Sequence, residues 1–125
     1  MNIDPRIYEL KSAIANACNL ATYFQLAPPN ARTPYAVIEF QSAEQVQSAT
    51  KTTNWQASFT ITILTKSDTE CIQTLDVVVN ELDRKKSNQW YFCRVGTVSI
   101  SANYLDKATL WVASVSLTVQ WTLSE

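Results

Sequence analysis

Apolar residues recur along this chain with two different periods, and the switches between them divide it into elements. From Asp4 to about Leu20, Ile7, Leu10, Ile14, Ala17 and Cys18 fall on one face at helical spacing. Asp4 is placed to cap this helix, and Pro5 suits its first turn, where a missing N–H costs nothing. Gln25 to Pro34 reads as a loop, because Pro28-Pro29-Asn30 prevents helix and Thr33-Pro34 favours extended backbone. Tyr35 to Phe40 then alternates as a strand, with Ile38 and Phe40 on one side and Val37 and Glu39 on the other.

The clearest alternation runs from Trp55 to Leu64. Trp55, Ala57, Phe59, Ile61 and Ile63 face one way, and Gln56, Ser58, Thr60 and Thr62 the other. Ser67-Asp68-Thr69-Glu70 is a capping box that opens a second helix, whose apolar stripe is Cys71, Ile72, Leu75, Val78, Val79 and Leu82. That helix frays near Lys85. Trp90 to Tyr104 is strand-like, interrupted at Gly96 by a bulge or bend, and Asn103 to Lys107 supplies a turn. Thr109 to Leu123 is the longest strand, with Trp111, Ala113, Val115, Leu117, Val119, Trp121 and Leu123 on one side. Gln41 to Asn54 has no period and is rich in Gln, Ser and Thr, so it reads as a long loop. The expected fold is a single α+β domain over residues 1–125, in the order α-β-β-α-β-β. Its four-stranded sheet is mainly antiparallel or mixed and carries both helices on its apolar face.

Composition narrows the function classes. At 46% hydrophobic residues the chain has ample material for a core. Ten basic and eleven acidic residues give a net charge of −1, and the densest basic cluster is Arg84, Lys85 and Lys86. Nucleic-acid binding by phosphate neutralisation needs several clustered cations, so that partner class is disfavoured. Cys18, Cys71 and Cys93 are widely spaced, form no CxxC pair and fall at apolar positions, so they are expected as buried thiols in a reducing cytoplasm. With no histidine, a Cys/His metal site and the His-based nucleophile arrangements drop out. The one glycine leaves no phosphate-cradling loop. No window nears the roughly 18 apolar residues of a membrane span, and no signal sequence opens the chain, so a soluble protein that is not exported is expected.

The second face of the sheet is the most informative feature. Gln56, Ser58, Thr60 and Thr62 from one strand, and Ser114, Ser116, Thr118, Gln120 and Thr122 from another, include no charge. A solvated face in a monomer usually mixes in Lys and Glu. Hydroxyls and amides leave water far more cheaply than charges, so such a face suits packing on another protein. The plainer account is a Thr-rich face chosen for its fit to pleated backbone.

Catalytic constellations are weak. Asp68 and Glu70 are explained by capping, Glu39 stands alone in a strand, and Asp76, Glu81 and Asp83 belong to the solvated side of the second helix. Ser48 to Lys51 matches an SxxK spacing, but in an aperiodic segment without companion motifs. Trp55, Trp111 and Trp121 fall on the core face, where packing accounts for them. Trp90 and Tyr91 are adjacent, so one should be exposed, and Tyr35 opens a strand beside a surface loop. Such aromatics often anchor interfaces. No cofactor, metal or enzyme activity is expected. A small ligand-binding or regulatory α+β module, and an enzyme using carboxylates that meet across elements, are the competing classes.

The layout resembles the tail terminator and tail completion proteins of long-tailed bacteriophages. The helix Ile-Tyr-Glu-Leu-Lys-Ser-Ala-Ile (7–14), a Pro-containing loop and the strand Thr33-Pro34-Tyr35-Ala36-Val37-Ile38-Glu39-Phe40 carry the likeness. An alternating strand, a Ser67/Glu70-opened helix and a closing Trp-containing strand complete the order. The resemblance implies a virion subunit assembled in the host cytoplasm, one of a homo-oligomeric ring, often a hexamer. The ring caps the tail tube and joins it to the head connector or neck proteins; a head–tail neck protein of similar shape is the alternative within this resemblance. The resemblance allows DNA to pass through the lumen but implies no specific DNA binding and no membrane. The segment 41–54 would face the lumen or a neighbouring ring. Arg32, Tyr35, Glu44, Lys51, Thr60, Trp90 and Thr118 are the candidate subunit or ring contacts.

Overall fold

The computed structural model describes residues 1–48, 52–105 and 108–124. Two helices, α1 (Asp4–Cys18) and α2 (Asp68–Leu82), lie on a sheet of five strands rather than four. These are β1 (Ala21–Phe24), β2 (Tyr35–Ser48), β3 (Thr52–Thr65), β4 (Phe92–Leu105) and β5 (Ala108–Ser124). Their spatial order is β1-β2-β3-β5-β4. All neighbours are antiparallel except β1 and β2, so the sheet is mixed, as expected.

The helix termini follow from local chemistry. Ser67 Oγ accepts the Glu70 N–H at 3.4 Å, and Asp68 Oδ1 accepts the Thr69 N–H, which satisfies two of the free donors at the start of α2. At α1 the expected Asp4 cap is not made. Asp4 lies inside the first turn, where its charge opposes the helix dipole favourably, and Ile3 holds the cap position without a side-chain bond. α1 ends at Cys18, where Asn19 takes the left-handed conformation at φ 53°.

The core lies between the helices and one face of the sheet. Leu10 and Ile14 of α1 and Cys71, Leu75, Val78 and Leu82 of α2 meet Ile38, Ala57, Phe59, Ile61, Ile63, Val115, Leu117, Val119 and Trp121. Each such large apolar side chain contributes roughly 1.5–3 kcal/mol on burial. Trp55 and Trp111, at opposite ends of this face, are only partly covered. The buried face of α1 is rotated from expectation: Arg6 and Ala13 are buried and Ala17 is exposed. Arg6 tolerates this because its Nε donates to Gln89 C=O at 2.7 Å, its Nη1 to Asn2 C=O at 3.0 Å, and its guanidinium sits 5.0 Å from the Trp121 ring. Burial still holds it below the usual arginine range.

Two segments correct the sequence reading. β1 follows α1 after two residues and pairs through Ala21↔Tyr35 to Phe24↔Ile38, too short for alternation to reveal. Most of 41–54 is strand, not loop. β2 and β3 continue pairing to Gln47↔Asn54 and Ser48↔Thr53. Register shifts between Phe40 and Ser42, and between Gln45 and Gln47, break the two-residue period there and hide the strand.

Candidate assembly surface

Among the described residues no element covers the side of the sheet away from the helices, and its residues line up in cross-strand rows. One row runs Ser42, Ser58, Thr118, Arg94, and the next Glu39, Thr60, Ser116. Others run Thr62, Ser114, Ser99 and Glu44, Gln56, Gln120. Among the described residues charges stand only at the margins of this face, Glu39 and Glu44 on β2 and Arg94 on β4. Between them β3 and β5 present hydroxyls and amides alone from Asn54 to Thr62 and from Ser114 to Thr122. Several are already paired with one another: Gln120 Nε2 donates to Gln56 Oε1, Thr122 Oγ1 to Asn54 Oδ1, and Gln41 Nε2 to Thr60 Oγ1. Neutral groups with partners lose little when water leaves, which is the chemistry a contact surface needs.

The sequence-derived contact residues are scattered over this frame. Thr60 and Thr118 lie at its centre, on adjacent strands one row apart. Tyr35 opens β2 on the same face and stacks edge-on against Tyr23, with centroids 5.9 Å apart. Glu44 is exposed on the long β2 arm, and Arg32 is exposed in the loop before β2. Lys51 lies outside the described residues. Trp90 does not face outward as an anchor. It is 5% exposed, and its indole N–H donates to Lys85 C=O at 2.8 Å. Its neighbour Tyr91, 57% exposed, is the available ring.

A device missed in the sequence secures the start of β4. The chain leaves α2 through Arg84, which takes φ 60°, and Arg84 N–H donates to Cys93 C=O at 2.8 Å. Asp83 Oδ1 accepts the Val95 N–H at 3.0 Å and pairs with Arg94 at 3.2 Å. That backbone bond, with Arg94 and Arg84 nearby, holds the Asp83 carboxyl below its ordinary value. Beneath this clasp burial pushes the Cys93 thiol up to about 12, helped by the Asp83 charge, and its Sγ donates to Leu82 C=O. Such a thiol holds almost no thiolate at neutral pH and is inert. Burial raises Cys71 and Cys18 as well.

Beside the clasp is a cleft of about 420 Å3 lined by Arg84, Lys85, Lys86, Trp90, Tyr91 and Arg94, among others. Two of its cations are engaged, Lys85 with Glu81 at 2.9 Å and Arg94 with Asp83. Among the described residues no group of three or more His, Cys, Asp or Glu converges as a metal site, and no helix is long and apolar enough to cross a membrane.

No family model and no curated protein matches the sequence. Among solved structures, a chain of the virion of a native gene transfer agent particle has a similar fold. The TM-score is 0.61 at 14% identity, over 91% of this chain and 90% of that one. The likeness is one of fold.

Proposed function

We propose that this chain is a structural subunit of a phage-like particle, forming a tail-terminator ring that caps the tail tube and joins it to the head connector. The observation that carries the reading is the bare sheet face centred on Thr60 and Thr118, where hydrogen-bonded neutral side chains take the place of the usual surface charges. The fold likeness to a chain from a gene transfer agent virion supports it, as does the resemblance in element order to tail terminators. On this reading the face seats against another protein of the particle, and the β2–β3 arm, exposed at Glu44, Gln45 and Val46, adds contact area. Function then lies in shape and in surfaces that desolvate cheaply.

Negative-stain microscopy of the protein, alone and mixed with tail tubes, tests this. Closed rings with a central hole are expected, and lone particles under both conditions sink it. The double change Thr60→Glu and Thr118→Glu should leave the circular dichroism spectrum intact yet abolish assembly, since two charges placed in the neutral centre of the face would have to lose their water on contact. Should the double variant assemble normally, the face is only solvated.

A second reading, a binding module for an anionic ligand, is favoured by the cation-lined cleft at Trp90 and Tyr91. A rise in melting temperature on titration with inorganic phosphate, lost in Arg84→Ala, would support it.

A further inference from the structure

The outer edge of β4 changes character at Gly96. Before it, Arg84 and Asp83 satisfy Cys93 C=O and Val95 N–H, so the strand is clasped by its own chain. Beyond it, Val98 to Tyr104 has neither a strand nor a backbone partner on its outer side among the described residues. Val98, Ile100 and Tyr104 pair with Val115, Ala113 and Thr109 and so lie on the face that the helices cover elsewhere. Yet they are 39%, 41% and 74% exposed. Ile72 adds to this strip. It sits about 100° round α2 from buried Cys71, on the flank opposite Thr74 and Val77, which line the groove shared with α1. No charged residue occurs from Val95 to Leu105. Natural edges are shielded by charges, proline, bulges or a covering element; past the bulge at Gly96, Val98 to Leu105 has no charge and no proline, and no element covers its edge among the described residues.

The opposite edge is similar. Among the described residues β1 has no strand beyond it, Phe24 and Leu26 are exposed there, and no charged residue occurs from Ser12 to Ala31. We infer that the open half of β4 in one copy pairs with the β1 edge of a second copy, joining their sheets head to tail; this rests on the ring reading above. Strand direction agrees. β1 and β2 run one way, β3 the other, β5 back again and β4 reversed, so β4 meets the next copy's β1 antiparallel when the sheet continues with the same face inward. That is the more stable pairing. Both strands are neutral, so neither buries an unpaired charge in the other. A two-fold β4–β4 contact would leave Phe24 and Leu26 bare and stop at a dimer, whereas a head-to-tail contact uses both edges and closes by rotation.

Two variants test the joint: Ile100→Lys with Tyr104→Lys on β4, and Phe24→Lys with Leu26→Lys on β1. All four side chains are exposed, so the circular dichroism spectra should match the parent. Each variant alone should lose rings, with association weakened on the order of tenfold or more. Mixed together, the intact β4 of one should capture the intact β1 of the other as a 1:1 dimer that cannot grow, read by native mass spectrometry. Rings of normal size from either variant overturn the edge pairing but leave the ring reading standing, and a mixture that stays monomeric does the same. A β1 variant that dimerises alone overturns the head-to-tail arrangement. Failure of the parent to form rings, alone or on tail tubes, removes the ring reading and the joint with it. Should a double variant unfold, Leu26→Glu, at a position 83% exposed, carries the test and should lose rings by itself.

Discussion

One sheet serves two unlike regions of this molecule. Under the helices, Phe59, Ile61, Val115 and Trp121 are buried and the start of β4 is clasped by Asp83 and Arg84. On the far face, and along β4 past Gly96, the same strands are left uncovered. Alternation produces the bare far face, since consecutive residues of β3 and β5 point to opposite sides; the strip on β4 is on the helix face and is exposed there for want of cover. Between its margins at Glu39, Glu44 and Arg94 the uncovered face lacks the charges that would keep it wet. The expectation is that stability is concentrated on the helix side and that the other side can vary its contacts without unfolding the domain.

The largest test of that division is Phe59→Ala. Phe59 is 1% exposed and meets Phe40 edge-to-face at 5.8 Å, so its truncation should cost roughly 3–5 kcal/mol in chemical unfolding. Its neighbour on the other face, Thr60→Ala, should stay within about 0.5 kcal/mol. Comparable losses from the two changes would mean that the bare face also holds the fold together.

A smaller effect is expected at the boundary between the clasped and open halves of β4. A Cβ on Gly96 would come 2.8 Å from Ser116 Oγ, the atom that accepts the Thr97 N–H. Ser116 can move away only by giving up that bond. Gly96→Ala should therefore cost about 1 kcal/mol, and Ser116→Ala in the same chain should relieve the clash without restoring the lost bond. A neutral Gly96→Ala would show that the bulge is not pinned there.

How much of this was legible in the sequence depended on period and on distance along the chain. α2 was readable because Ser67 and Glu70 mark its start and Cys71, Leu75, Val78 and Leu82 repeat without interruption. β3 and β5 were readable, faces included, because their alternation is unbroken over ten or more residues, and the candidate surface at Thr60 and Thr118 came with them. β1 was not, because four residues give too few alternations to tell from a loop. The β2 extension was obscured by bulges and by polar residues on both sides. Burial of Trp90 rather than Tyr91, and of Arg6 on α1, depends on partners far off in the chain, Lys85 apart: Arg6 is held by Gln89 C=O and Trp121. Periodicity carries no information on such contacts, and the clasp of Asp83 on Val95 is of the same kind.

That clasp gives the smallest and most specific prediction. The carboxyl of Asp83 is held below its ordinary value of 3.8, first by the Val95 N–H and then by Arg94 and Arg84. A depressed folded value means that the charged form is favoured by folding, so the contribution is complete above about pH 4. It is lost as pH falls through the folded value. Asp83→Asn keeps an acceptor for Val95 but no charge. The parent should therefore be slightly more stable than the variant from neutral pH down to about pH 4, and the gap should close below that. Other carboxylates titrate alike in both proteins and cancel in the difference. Paired urea titrations from pH 7 to pH 2 read it directly. A gap that persists to pH 2, or that opens only in acid, would show that the Asp83 charge is not what fastens the end of α2 to the edge strand.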